Sequence, residues 1–380
     1  MRHSAVLVSL LGLFASTARA DGPVTLAIGG YSACGLDASG EVRCAGSEDR
    51  GELGSPSVGA RPTDVVVPRV VPGVRAKALA LGDQHACALR EDGSVVCWGR
   101  NEEGQLGDGT RVDRSEPRPV PGLDSVSAIA AGSFFTCALR TDGSVSCFGY
   151  NRWGELGVAG EQEPRGIASR DVPAPVPGVR GAVAIAAGND HACARLGDGS
   201  VVCWGSNDWA QIGTGRRGGP KRPTVVRGVR GAVELALGAF HSCARLATGG
   251  TVCWGHNVFG ASDLQAQVFP RPVPVVGLET GVRSLVAGGE SLCAILDDGR
   301  LSCAGVNEVE QLGRDADGYA IERQAPLPDV AGVRAAVLGR QQLCIRESDA
   351  GFRCRGLDAN GQLGVGRATN AVPSFEAVRW

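Results

Sequence analysis

Fourteen cysteines stand in the chain as seven pairs of identical C-x9-C spacing. Cys34 pairs in this sense with Cys44, Cys87 with Cys97, Cys137 with Cys147, Cys193 with Cys203, Cys243 with Cys253, Cys293 with Cys303 and Cys344 with Cys354. One spacing repeated seven times implies a repeat architecture, its unit count and an oxidising compartment at once. The units around Cys87, Cys137 and Cys193 read LALGDQHACALREDGSVVCWGRNEEGQLG, IAAGSFFTCALRTDGSVSCFGYNRWGELG and IAAGNDHACARLGDGSVVCWGSNDWAQIG. The unit around Cys243 is close to these, and those around Cys34, Cys293 and Cys344 are weaker copies. Approximate unit bounds are 24–73, 74–122, 123–178, 179–228, 229–277, 278–332 and 333–380, which leaves no room for a second domain.

Within a unit the pattern is that of strands. Ala86 to Leu89 and Ser94 to Trp98 are short β-prone runs flanking Glu91-Asp92-Gly93, a hairpin loop that closes on a left-handed glycine. Counting outward from that loop sets Cys87 opposite Cys97. The same count works for loops ending at Gly40, Gly143, Gly199, Gly249 and Gly299, whereas the last unit has Ala350 there and its glycine at Gly351. Opposed residues of a hairpin lie about 4.5–5.5 Å apart at Cα, within reach of a disulfide. Packed sheets are about 10 Å apart, so pairing within a hairpin is expected. Chain entropy assigns each such bridge roughly 2.8 kcal/mol. A zinc site would need closer cysteine spacing and four converging ligands, so no metal is expected.

Residues 1–20 read as a secretory signal peptide: Arg2 and His3, an apolar run from Ala5 to Ala15, then Ala18-Arg19-Ala20 as the cleavage site. The mature chain, 21–380, is expected in the periplasm or outside the cell, as a monomer without membrane insertion. Losing Arg2 and Arg19 takes the net charge from −2 to about −4. That balance excludes a general nucleic-acid binder.

Many short strands at a period near 50, glycine-rich turns and no helical periodicity indicate an all-β chain, a seven-bladed β-propeller. The pattern G-x-x-H-x-C-A-L-x-x-D-G-x-V-x-C-W-G-x-N-x-x-G-Q-L-G resembles the repeat of the regulator of chromosome condensation family. Gly82, His85, Asp92-Gly93, Trp98-Gly99, Asn101 and Gly104-Gln105-Leu106-Gly107 carry the resemblance best. It implies a seven-bladed propeller with a partner-binding loop face, though the paired cysteines depart from the nuclear members. Two precedents come with it: nucleotide exchange on a small nuclear GTPase, and a secreted bacterial propeller that inhibits β-lactamase. Export argues against the first.

The repeated residues read as scaffold. Trp98, Trp204 and Trp254, with Phe148, are expected to pack between blades; Asn101, Asn151, Asn207, Asn257 and Asn307 to bond local backbone. His85, His191 and His241 share one position and are each expected to bond backbone of their own blade. Function is expected in the variable residues just before that position: Asp83, Gln84, Phe134, Asn189, Asp190, Phe240, Glu290, Arg340 and Gln341. These would emerge on one face as a ring of partner-binding chemistry, the phenylalanines exposed. Trp153, Trp209 and the connection from Val158 to Val172 form a second candidate set. No G-x-S-x-G elbow, H-E-x-x-H helix, phosphate loop, dinucleotide fingerprint or haem motif occurs, so no cofactor is expected.

The expected function is therefore an exported, disulfide-stapled propeller that binds a protein partner and performs no catalysis. One alternative is a saccharide- or cell-wall-acting enzyme with Asp83, Asp190 and Glu290 at the funnel. The other is a structural module of the envelope.

Overall fold

The computed structural model describes residues 25–55, 65–158, 169–219, 222–258, 266–313, 321–328, 330–349 and 351–379. The expected signal peptide, and most of the connection after Val158, lie outside them. Among the described residues twenty-eight strands form seven four-stranded antiparallel sheets, each built from four consecutive strands. In the second blade these are β1 (Ala78–Leu81), β2 (His85–Leu89), β3 (Val95–Gly99) and β4 (Arg114–Pro119). The first strand of every blade lies innermost, against the first strands of its neighbours. The loops joining first to second and third to fourth strands therefore share an upper face. The tight hairpins and the links between blades share a lower one.

All seven cysteine pairs face one another across the second and third strands of their blades and are bonded as expected. In the first four blades the bridges are Cys34 to Cys44, Cys87 to Cys97, Cys137 to Cys147 and Cys193 to Cys203. In the last three they are Cys243 to Cys253, Cys293 to Cys303 and Cys344 to Cys354. Each has a Cα–Cα separation of 4.1 Å, so the bridged strands stand slightly closer than the expected 4.5–5.5 Å. The six expected loop glycines all take positive φ, from 78° to 87°. The seventh hairpin does differ: its ladder stops at Ile345–Arg353, one pair short of the Leu89–Val95 position in the second blade.

What lets the inner strands converge is a ring of glycines, one at the end of each: Gly29, Gly82, Gly132, Gly188, Gly238, Gly288 and Gly339. A Cβ on Gly29 would sit 2.3 Å from the Gly82 carbonyl oxygen. On Gly82, Gly132 and Gly188 it would sit 2.5, 2.6 and 2.3 Å from the carbonyl of the next glycine round the ring. A side chain at any of these would have to displace backbone of the neighbouring blade.

Each blade also grips its neighbours through buried polar contacts. The indoles of Trp98, Trp204 and Trp254 donate to the carbonyls of Glu52, Glu155 and Gln211 of the preceding blade, each at 2.8 Å, and Arg355 does the same to Gln311 at 2.9 Å. Asn101, Asn151, Asn207 and Asn307 each accept from the backbone N–H five residues on, as expected of that position. The histidines differ from expectation. Nε2 of His85 reaches the Thr136 hydroxyl at 2.9 Å, and Nε2 of His191 the Ser242 hydroxyl at 2.8 Å, both in the next blade rather than on their own backbone. Those hydroxyls donate onward to the Gln105 and Gln211 carbonyls, so each imidazole donates through Nε2. The reason is geometric: both rings lie over the axial glycine three residues before them, which turns them toward the following blade. Burial pushes His85, His191 and His241 down to about 3, leaving them neutral.

The ring closes by the same contacts. Leu26 of the first blade packs with Phe352, Leu363 and Val372 of the last. The Gly366 N–H bonds the Val66 carbonyl, as Gly109 bonds Asp171 and Gly215 bonds Pro270 between consecutive blades.

Two buried carboxylates, Glu52 and Glu155, stand where four other blades carry glutamine. Glu52 occupies the position held by Gln105, Gln211, Gln311 and Gln362, and burial pushes it up to about 7. A raised carboxylate pKa means that folding favours the protonated acid. Its ionisation cost is absent below about pH 4.5, grows as the pH rises and is full above about 7. Glu52→Gln should therefore stabilise the fold by about 1–3 kcal/mol at pH 8 and leave it unchanged at pH 4, read from thermal melts at the two pH values.

Candidate functional site

Two residues follow each axial glycine in a tight turn, across which the glycine N–H bonds the carbonyl three residues on, as Gly82 bonds His85, and the two turn residues point different ways. The residue one beyond the glycine turns to the axis: Gly30, Asp83, Ser133, Asn189, Gly289 and Arg340 line the channel mouth together with the glycines. The residue two beyond leans outward over its neighbours: Gln84, Phe134, Asp190, Phe240, Glu290 and Gln341. The nine expected site residues thus divide into two concentric sets on the upper face. Three enter the mouth, and six join a surrounding belt.

The belt is completed by the third-to-fourth-strand loops, so the two candidate sets of the sequence form one surface. Several of its contacts cross from one blade to the next, and others bind a loop to its own blade. The Arg100 guanidinium stacks 5.0 Å from the Phe134 ring centre and donates to the Gln84 amide oxygen at 3.1 Å. Phe134 also meets Tyr150 edge-on at 6.4 Å. Trp209 lies 6.0 Å from Phe240 and 4.7 Å from His256, with Arg217 over its other side at 5.2 Å. His256 Nδ1 faces Glu290 at 3.8 Å, and the Gln341 amide donates to Glu308 at 2.7 Å. Phe134 and Phe240 are half-buried by these contacts, not exposed as the sequence suggests. Stacking on a neighbouring blade's side chains covers one side of each ring and holds it in place. Trp153 is half-buried beneath Arg152, whose guanidinium lies 5.2 Å from its ring.

The mouth carries the charge. Arg340, in the last blade, reaches across the first to Asp83 in the second, nitrogen to oxygen 3.6 Å. It can do so because Gly30 stands between them: a Cβ there would lie 2.9 Å from the Asp83 carboxylate. Burial raises Asp83, against the opposing pull of Arg340 and a hydrogen bond from Ser133. Burial and the charge of Asp83 push Asp190 up to about 6, with Arg340 again opposing. Asp83 and Asp190 are thus electrically coupled around one arginine, while Glu290 belongs to the belt with His256. The three carboxylates of the enzyme alternative do not form one group. Among the described residues no three His, Cys, Asp or Glu side chains gather to hold a metal ion, and no helix is long and apolar enough to cross a membrane.

Sequence reasoning finds the ring positions but misses Arg100, Tyr150, His256 and Glu308. The signal of the first three is their place right after the repeated W-G or its equivalent, at the end of the third strand beside the ring, and Glu308 follows the repeated asparagine.

Comparison with known proteins places this geometry. The family model described as the RCC1-like domain matches residues 9–317. The human E3 ubiquitin-protein ligase HERC2 is 39% identical over 105 residues, 27% of this chain and 2% of that protein. The ultraviolet-B receptor UVR8 of Arabidopsis thaliana is 33% identical over 99 residues, 25% of this chain and 21% of the receptor. The chain matches only a small part of these relatives' length. Among solved structures, Prp20p from Saccharomyces cerevisiae, characterised for its binding to Gsp1p and histones, superposes with a TM-score of 0.77 at 23% identity, covering 90% of this chain and 87% of its own. Human WBSCR16 gives 0.78 at 21% identity, covering 89% and 93%. At these identities the structures share a fold.

If Arg340 holds down the titration of Asp190, Arg340→Gln should move its midpoint above about 6. Carboxylate carbon NMR through a pH titration reads this directly, and an unmoved midpoint would show that Arg340 does not act on it.

Proposed function

Because the chain belongs to the RCC1-like domain family, we propose that it is an exported, non-catalytic scaffold that binds another protein through its upper face. One observation supports the reading above the rest. On a backbone that repeats seven times, the two concentric rings of that face gather aromatic, charged and amide side chains that differ from blade to blade. Rigid aromatic and arginine side chains already held by their neighbours lose little freedom on binding, and such residues dominate interface energetics. Phe134, Tyr150, Trp209, Phe240, Arg100 and Arg217 form that set, with Asp83, Gln84, Asn189, Asp190, Glu290, Arg340 and Gln341 supplying polar specificity.

The seven bridges suit an oxidising compartment. We place the protein in the periplasm or outside the cell, with residues 1–20 removed as a leader and 21–380 acting as a single domain and a monomer. Mass spectrometry of the exported protein should find Asp21 at its N-terminus; an unprocessed Met1 in the soluble exported fraction would overturn this.

Affinity capture from the producing organism's periplasm and medium tests the binding face. Phe134→Ala with Phe240→Ala should cut recovery of the captured partner by about tenfold or more while leaving the melting profile near that of the parent. A lower-face pair, Asp142→Asn with Asp298→Asn, should leave capture intact. Loss of capture in the lower-face pair, or full capture by the upper-face pair, would overturn the assignment.

A further inference from the structure

The polar mouth sits over a cavity of about 120 Å³, whose deeper wall is made by the apolar ends of the inner strands, among them Ile28, Leu81, Leu237 and Leu338. That volume is the share of about four waters, or room for one small organic molecule. A small sleeve of glycine backbone and strand ends beneath a few convergent polar groups is concave and pre-formed, as small-ligand pockets are. It differs from the belt in kind, since nothing the size of a protein enters it.

The rim is asymmetric. Asp83, Ser133, Asn189 and Arg340 are polar, while Gly30, Ala239 and Gly289 at equivalent positions bring no functional group. Its two charges are opposite and stand 3.6 Å apart, beyond a hydrogen bond. A guanidinium has five N–H donors in a fork that matches a carboxylate, and Arg340 spends its side chain on a loose pair while remaining 46% exposed. A ligand with one charge would satisfy one partner and strip the other, which is costly at a partly buried site. A ligand with both charges replaces the pair on both sides.

We propose that the mouth of the central channel binds a small zwitterion, an α-amino acid with a short aliphatic side chain. Its carboxylate meets the Arg340 fork. Its ammonium meets Asp83, with the Ser133 hydroxyl and the Asn189 amide beside it. The aliphatic group enters the sleeve beneath. Gly30 is a positioning residue: without its bare backbone Arg340 and Asp83 would not face one pocket. This site does not rest on the partner-binding reading, and either can fail alone.

The test uses the mature protein with its disulfides intact, titrated by calorimetry and by NMR of the arginine Nε–H groups. L-Valine should bind saturably in the micromolar to millimolar range expected of so small a ligand and should shift the Arg340 signal. Isobutylamine and isovalerate, each carrying one of the two charges, should bind at least about tenfold more weakly. Asp83→Asn and Arg340→Gln should each weaken valine by about tenfold or more, with melting profiles confirming the fold. Asp298→Asn on the lower face should bind as the parent does. Absence of saturable binding at tens of millimolar valine would overturn the proposal. So would isobutylamine or isovalerate binding as tightly as valine, or unchanged affinity in both rim variants.

Discussion

Seven inner strands end on glycines around one narrow channel, each packed too closely on its neighbours to carry a β-carbon, and the rest of the molecule follows from that approach. The glycine ring brings the inner strands into mutual contact and brings each first loop close to that of its neighbour. It also clears the space over which His85, Phe135, His191 and His241 lie. Because those side chains cover the glycine, they point to the following blade, where a hydroxyl takes the imidazole hydrogen of His85 and His191. The indoles bond in the opposite sense, back to the preceding blade. Neighbouring blades are therefore joined by directional contacts of both senses as well as by the core they share. The disulfides do different work, constraining each hairpin internally.

The fold is legible in the sequence because its signals are local and repeated. The C-x9-C spacing alone sets the hairpin register, and the loop glycine agrees with it. Asn101 and its equivalents act within a few residues of themselves, so their role can also be read. What cannot be read crosses between blades. Nothing in the sequence directs His85 to Thr136, 51 residues on, so its own strand is the natural but mistaken choice. The turn that sends Asp83 to the axis and Gln84 outward depends on where the axis lies. The meeting of Arg340 with Asp83 depends on ring closure and on Gly30, a residue whose contribution is the absence of a side chain. Phe134 and Phe240 look exposed when only their own loops are in view, because the side chains that cover them, Arg100 and Tyr150 for the first and Trp209 for the second, belong to other loops.

The departures from the repeat also differ in kind. Carboxylates occupy the amide positions at Glu48 and Glu52 of the first blade, Glu155 of the third and Asp358 of the last, and burial raises Glu48, Glu52 and Asp358. They add a cost above neutral pH that the blades with amides at those positions do not carry.

Thr25 pairs with Leu36 and Ala377 with Arg353, in both cases beside a hairpin turn. Both described ends of the chain thus leave the ring on the lower face. Whatever is joined to either end, whether a tether, a surface or a second module, would hold the disc by its back and present the belt and the channel mouth outward. The polarity of a seven-fold ring, which repetition alone leaves undefined for anything approaching it, is in this way set by the position of its two ends.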